Sequence, residues 1–318
     1  MTVLPNKANR LLENYRYDLE RYLQYSTTDS EDRNAKQLEA RIFADYHMIE
    51  KGLALKEPRL GFGKDHIRSL LEHIEEYIAK DFMDRDRVLA AAFAVLMEYI
   101  EYHKSRGYDV SEYDRRISRY KGYLNQGVGG TRVFSKEEMM AHSKADFAEF
   151  SRHRYSIRNY SEEPVPLDSI VRAIELAQKT PSVCNRQTCK VYILDNKEVQ
   201  RKVLSCHEGN RGFGHLADKI LLVTSDLHAF EGEHERNQPF IDGGMFAMSL
   251  VYGLHYEGLA TCTMNWCASK EQDLKLRETL PIPASENVIL LVTVGNLPDQ
   301  FSVAKSYRKP VDSVYTVF

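Results

Sequence analysis

From Leu11 to about Tyr123 the apolar positions recur at the helical period. Ile67, Leu70, Leu71, Ile74, Tyr77 and Ile78 fall at offsets 0, 3, 4, 7, 10 and 11, which is one stripe along an α-helix. Leu11, Leu12, Tyr15, Leu19, Tyr22 and Leu23 make a second stripe. Leu38, Ile42, Tyr46 and Ile49 make another that ends near Gly52. Val88 through Ile100 is Ala-rich and apolar on most sides, the pattern of a buried helix. No strand alternation competes, so residues 1–130 read as an all-α domain. Gly127-Val128-Gly129-Gly130 is the strongest breaker in the chain. Residues 131–149 then form a linker with a lead-in helix from Ser135 to Phe150, where Ser135 and Glu138 make a capping box.

After Ser151 the pattern changes. Lys190–Leu194, Lys219–Thr224 and Val288–Val294 are short β-branched runs of the kind covered on both faces. Helical segments near Asp168–Gln178, Lys197–Ser205, Phe240–Tyr256 and Ser269–Leu280 separate them. Residues 150–318 therefore read as an α+β domain with helices covering a sheet.

Composition narrows the function classes. Lys and Arg number 43 against 46 Asp and Glu, a formal net charge of −3 over 318 residues. No basic surface is available to release counterions from phosphates, so nucleic acid is not an expected partner. The longest strongly apolar stretch, Val88–Met97, is far short of the roughly 20 residues of a membrane span. Met1–Lys7 carries no apolar signal core, and the expected location is cytoplasmic. The cysteines at 184, 189, 206, 262 and 267 are odd in number, which argues against a disulfide framework. Cys184/Cys189 and Cys262/Cys267 are spaced marginally for zinc and lie beside strand-like segments. Buried thiols are favoured over a metal site there, and no metal is expected.

The candidate chemistry gathers after residue 150. Arg154, Ser156 and Arg158 at i, i+2 and i+4 share one side of an extended segment over roughly 13 Å, offering two guanidiniums and a hydroxyl to an anion. On spacing alone a solvated basic segment accounts better for them. Asn185 and Gln187, in the loop Thr180–Gln187, each donate and accept, which suits the edge of a heterocycle; a polar turn accounts for them equally. Asp242-Gly243-Gly244 opens an apolar helix whose glycines point to close approach of another backbone or a flat ligand, or to a buried core helix. Lys305, Arg308 and Lys309 add positive charge near the end of the chain.

Taken in this order, the residues from about Phe150 to Val314 resemble the nitroreductase family of flavin enzymes. Arg154-Tyr155-Ser156-Ile157-Arg158-Asn159-Tyr160 with Glu163-Pro164-Val165-Pro166 is similar to the family's opening signature, and Thr180-Pro181-Ser182 with Asn185-x-Gln187 to its next loop. Asp242-Gly243-Gly244 through Gly258-Leu259 resembles its central helix. Val294-Gly295 with Arg308-Lys309-Pro310 resembles its closing segment. The resemblance implies an α+β fold, a mixed sheet flanked by helices, here preceded by the helical region. It implies an FMN-dependent oxidoreductase and an intertwined homodimer with flavin at the interface. By positional match Arg154, Ser156, Lys305 and Arg308 would hold the phosphate, with Tyr155 in the same segment, and Arg158 would sit near the pyrimidine end. Pro181, Ser182, Asn185 and Gln187 would reach the flavin from the second subunit, and the backbone of Met264 and Asn265 would face its N5 region. The expected activity is hydride transfer from NAD(P)H to a small acceptor by ping-pong turnover. No protein nucleophile or general base is required.

The alternatives are nicotinamide-independent flavin chemistry (reductive dehalogenation or flavin cleavage) and a non-enzymatic scaffold on a decayed flavin fold. Departures from the family pattern fall at Thr188 and Cys189, where relatives carry Pro and an aromatic, and at Asn265 and Trp266, where they often carry Glu-Gly. The charged run Glu231–Arg236 reads as a solvated loop. In the helical half, His47 and Glu50 share a helix face and read as a structural pair, and His66 and His73 as exposed flank residues.

Overall fold

In the computed structural model, the described residues are 8–9, 11–12, 15–16, 19, 33–82, 85–123, 129–183, 186–230 and 233–318. Tyr22 and Leu23 of the Leu11–Leu23 stripe, Gly127, Val128, Cys184 and Asn185 lie outside them. The chain forms two compact units: one holds Met1–Asp18 and Phe134–Phe301, the other Leu19–Val133 and Ser302–Phe318.

The second of these is helical. α1 (Ala35–Leu53), α2 (Lys64–Ala79) and α3 (Arg85–Lys104) are followed by a short α4 (Ser111–Ile117). Asn34 starts α1 with a capping box shared with Gln37. The stripes read from the sequence are buried: Leu38, Ile42, Tyr46 and Ile49 of α1 meet Ile67, Leu70, Leu71 and Ile74 of α2 and Phe93 and Leu96 of α3 in one cluster. Each such side chain contributes about 1.5–3 kcal/mol on burial. The unusual text around Gly52 and Arg59–Gly63 is a packing device: a Cβ on Gly52 would run into the Phe62 ring. Glu50, fully buried, takes the Gly130 amide at 3.0 Å and stands 3.3 Å from His47 Nδ1, so the His47–Glu50 pair is structural. The C-terminal residues join this unit, with Lys309 paired to Glu39 at 2.9 Å and Tyr307 packed on the helical core.

The expected exposure of His73 is corrected. Its side chain is only 12% exposed, with Nδ1 2.8 Å from Asp45 and Nε2 2.7 Å from Arg33. A polar partner on each ring nitrogen makes burial affordable there. His66, 45% exposed, does lie on the flank.

The other unit is α+β. Within it the pairings run antiparallel in the order β2 (Cys189–Leu194), β3 (Lys219–Asp226), β5 (Glu286–Asn296), β4 (Leu259–Asn265). β1 (Thr131–Ser135) and β6 (Gln300–Ala304) form a separate two-stranded ribbon. α5 (Lys136–Ser143), α6 (Phe147–Arg152), α7 (Leu167–Ala177), α8 (Lys197–Leu204), α9 (Gln238–Tyr256) and α10 (Lys270–Thr279) complete the order. α9 lies across the sheet core through Ala247, Leu250, Val251 and Leu254. Gly253 lets α7 approach closely, because a Cβ there would sit 2.6 Å from the Ala173 carbonyl oxygen.

Two helix boundaries differ from expectation. The Ser135–Phe150 helix is split into α5 and α6 because Asp146 caps a new start, its Oδ1 accepting from the amides of Ala148 and Glu149. α9 begins at Gln238, with Pro239 in its first turn, so Asp242 lies inside the helix and does not open it. Among the described residues no helix is long and apolar enough to cross a membrane.

Candidate flavin site

The segment after α6 runs beside the free edge of β4. Ile157 donates its amide to the Thr261 carbonyl at 2.7 Å, and Ser161 donates to Asn296 at 2.9 Å. These bonds fix Arg154, Tyr155, Ser156 and Arg158 along one edge of the sheet. Tyr160 anchors the far end: its hydroxyl meets Thr293 Oγ1 at 2.7 Å, and Thr293 Oγ1 donates to Cys262 O at 3.2 Å. Gly295 leaves room for the Tyr160 ring, whose atoms a Cβ would meet at 2.5 Å. Burial raises the Tyr160 phenol far above its ordinary range, so it stays a neutral donor.

Arg158 is the unusual member. It is 6% exposed, yet among the described residues its one hydrogen bond runs to Ser156 O at 3.3 Å, and Nε has no partner there. Its guanidinium lies 5.6 Å from the Phe213 ring centre. No carboxylate among the described residues pairs with it. A buried cation without a counter-charge is costly unless an anion or strong acceptor meets it.

The loop after α7 is built around Asp242. One carboxylate oxygen accepts from the Val183 amide at 3.0 Å and the other from Gln238 Nε2 at 2.8 Å. Ser182 Oγ accepts from the Gln187 amide at 2.9 Å, and Gln187 takes a left-handed φ of 51°. Pro181, Ser182, Gln187, Asp242 and Phe246 line a cavity of about 110 Å³. Arg186 forks onto Glu235 at 2.7 and 3.0 Å, so that part of the charged Glu231–Arg236 run is a tether and not simply solvated.

A second cavity, of about 210 Å³, lies at the end of β4 between Cys206, His207, Asn265, Trp266, Cys267 and Gln272. His207 Nε2 donates to Asn265 O at 2.6 Å while Nδ1 accepts from Gly209, which sets the tautomer. The His207 and Trp266 rings face each other at 6.4 Å and 25°.

The family model described as "Nitroreductase family" matches residues 151–210 and 205–296. The C-terminal half of the chain is of the nitroreductase family. Iodotyrosine deiodinase 1 of Pongo abelii is 22% identical over 209 residues, covering 57% of this chain and 71% of that protein. The iodotyrosine deiodinase of Haliscomenobacter hydrossis is 22% identical over 218 residues, covering 58% and 94%. Among solved structures, a nitroreductase family protein from Streptococcus pneumoniae is 19% identical with a TM-score of 0.48, over 54% of this chain and 100% of that one. An FMN-dependent nitroreductase from Clostridium difficile is 21% identical with a TM-score of 0.41, over 46% and 85%.

The family's members are flavin oxidoreductases, so the match implies a flavin cofactor. The residues present fit one. A flavin offers a phosphate dianion and an electron-poor, acceptor-rich ring, and the unpaired Arg158 guanidinium on the β4 edge suits such a group. Arg154, Tyr155, Ser156 and Arg158 stand on one segment, with Met264 and Asn265 on the β4 strand it borders; Pro181, Ser182 and Gln187 gather at the other cavity. Asn185 lies outside the described residues. Lys305 and Arg308 belong to the helical unit, where Lys305 Nζ reaches Gly129 O at 3.3 Å and Arg308 reaches Ser306 O at 2.9 Å. His207 and Trp266 were not marked by spacing or composition as a facing pair; only the departure at Asn265-Trp266 drew notice to the place.

Among the described residues no metal cluster includes a cysteine. Burial pushes the Cys189 thiol up to about 11, so it packs as a neutral group.

Proposed function

We propose that the chain is an FMN-dependent oxidoreductase that carries reducing equivalents from NAD(P)H to a small acceptor, the two substrates alternating in one cavity. The observation that carries this reading is Arg158, a buried guanidinium beside the β4 edge with no acidic partner among the described residues. Bound flavin would supply the hydride chemistry, which no side chain here can provide. Arg154 and Ser156 would hold the phosphate. Arg158 would neutralise negative charge at the pyrimidine end, stabilising the reduced cofactor electrostatically. The β4 backbone at Met264 and Asn265 would border the reacting face, and the His207–Trp266 cavity would receive the acceptor.

The reading includes a homodimer in which Pro181, Ser182, Asn185 and Gln187 of a second copy complete the cofactor site. The exposed apolar side chains Phe240, Ile241, Met245 and Met248 of α9 support it, since that face is too apolar for bare solvent. A cytoplasmic setting, as expected from the sequence, would keep NAD(P)H at hand.

Reductive dehalogenation is the second reading, favoured by similarity to the iodotyrosine deiodinases. Both readings are tested by the absorption spectrum of freshly purified protein, with added FMN if needed. Anaerobic NAD(P)H follows, then nitroaromatic or halophenol acceptors. Bleaching by nicotinamide and turnover of the nitro compound supports the first. Stoichiometric halide release from the halophenol, with the flavin reduced by dithionite where nicotinamide does not bleach it and reoxidised as halide appears, supports the second. A protein that takes up no flavin contradicts both and favours a scaffold.

A further inference from the structure

We propose that His142, Glu149 and His153 form a binding site for one divalent transition-metal ion of the zinc class, a staple between α5 and α6. The site does not depend on the flavin reading.

The local fold builds it. α5 ends at Ser143 and α6 restarts at Phe147 under the Asp146 cap, so the last turn of α5 is folded against the first turns of α6. Glu149 and His153 are four residues apart and share one helix face. One potential ligand atom from each of the three side chains lies within 4.8 Å of the others. His142 Nδ1 is 2.9 Å and His153 Nδ1 3.4 Å from the same Glu149 oxygen, Oε1. The two imidazoles stack face to face at 3.5 Å and 8°, and Phe134 meets both edge-on.

Two imidazole nitrogens and a carboxylate converging on one point are a borderline-soft donor set with an open fourth position, which suits zinc, cobalt or nickel. The groups are only partly exposed, at 20%, 38% and 15%, leaving an entry path. The competing use of His153 Nδ1 is a hydrogen bond to the Glu149 carbonyl oxygen at 2.9 Å, which a metal ion would have to replace.

A buried histidine packs on the residue next to Glu149. His255 at the end of α9 is 4% exposed, and its Nε2 has no partner. Its ring centre lies 4.7 Å from that of Phe150, the residue after Glu149, with the two planes tilted by 39°.

The test uses the full chain, stripped with chelator and titrated with Co2+ and then Zn2+. One equivalent of Co2+ should give the visible absorption of a low-symmetry site, displaced by Zn2+, and Zn2+ should raise the thermal midpoint. His142→Gln and His153→Ala should each weaken binding at least about tenfold, as even outer partners of a metal do. Cys267→Ser should bind as the parent does. If His153→Ala fails to fold, His142→Gln at the end of α5 decides alone. No stoichiometric cobalt spectrum, or equal binding by the histidine variants, would overturn the site.

Discussion

His207 donates its Nε2 proton to the carbonyl oxygen of Asn265 at 2.6 Å, while its Nδ1 accepts the Gly209 amide at 3.0 Å. One imidazole thus ties the loop after α8 to the last residue of β4 and closes one wall of the larger cavity. His207→Ala should leave the fold intact and release that wall. The lost bond is worth about 1 kcal/mol, so acceptor kcat/KM should fall roughly five- to tenfold with FMN affinity unchanged. Steady-state kinetics beside a flavin titration separates the two; equal loss of both would show the ring serves the cofactor instead.

Arg154→Ala should weaken FMN retention without unfolding the protein, because Arg154 lies on the half-buried coil after α6 and not in the core. Loss of one charge-assisted phosphate contact corresponds to about 1.5–3 kcal/mol, roughly ten- to a hundredfold in affinity. Retention of flavin through gel filtration, set against the parent, measures it. Unchanged retention would remove Arg154 from the phosphate site.

Acid should destabilise the fold through two buried histidines. Burial pushes His255 from 6.5 down to about 4, partly opposed by a hydrogen bond to the Phe150 backbone. Burial also lowers His103, whose Nε2 accepts the Gly61 amide at 3.0 Å. The unfolded chain binds these protons first, so the stabilisation is complete above pH about 6.5 and is lost as pH falls toward 4. For His255 it amounts to roughly 3 kcal/mol. Urea midpoints at pH 7, 5.5 and 4.5 should fall in that order, and less steeply in His255→Gln. A slope unaltered by that change would assign the acid sensitivity elsewhere.

The two glycine positions of α9 should respond in opposite directions. A Cβ at residue 253 meets Ala173 backbone atoms at 2.6, 2.9 and 3.1 Å, which cannot move aside, so Gly253→Ala should cost about 1–3 kcal/mol. A Cβ at residue 244 meets nothing within 4 Å, and Gly244→Ala should gain up to about 1 kcal/mol of helix propensity. Thermal denaturation distinguishes them, and similar midpoints for both variants would contradict the α7–α9 crossing.

If α9 packs against a second copy, Met248→Glu on its exposed apolar face should halve the mass seen by light scattering and lower flavin affinity together. A dimer that survives the charge would place the interface on another surface.

Much of the fold was legible because burial enforces periodicity. The Ile67–Tyr77 stripe is buried along its length, and the apolar runs at 190–194, 219–224 and 288–294 are strands. The Arg154–Arg158 segment was legible as a charge pattern, while the property that singles out Arg158, burial without a counter-charge among the described residues, belongs to tertiary structure. What periodicity could not reveal were contacts between distant residues. Asp45 claims His73 from 28 residues away, and His207 finds Asn265 from 58. Lys309 joins the helical unit through Glu39, a pairing with no trace in local spacing. The break at Asp146 splits the helix expected over Ser135–Phe150 because its side chain satisfies the amides that start a new helix.

The most direct test of the account is FMN titration of the parent and of Arg158→Met, followed by flavin fluorescence, with the thermal midpoint of each flavin-free protein alongside. Replacing a buried, unpaired guanidinium by an apolar chain of similar length should leave the flavin-free fold as stable or more so, and reduce FMN affinity at least about tenfold. Equal FMN affinity in the two proteins, or no uptake by the parent, would contradict it.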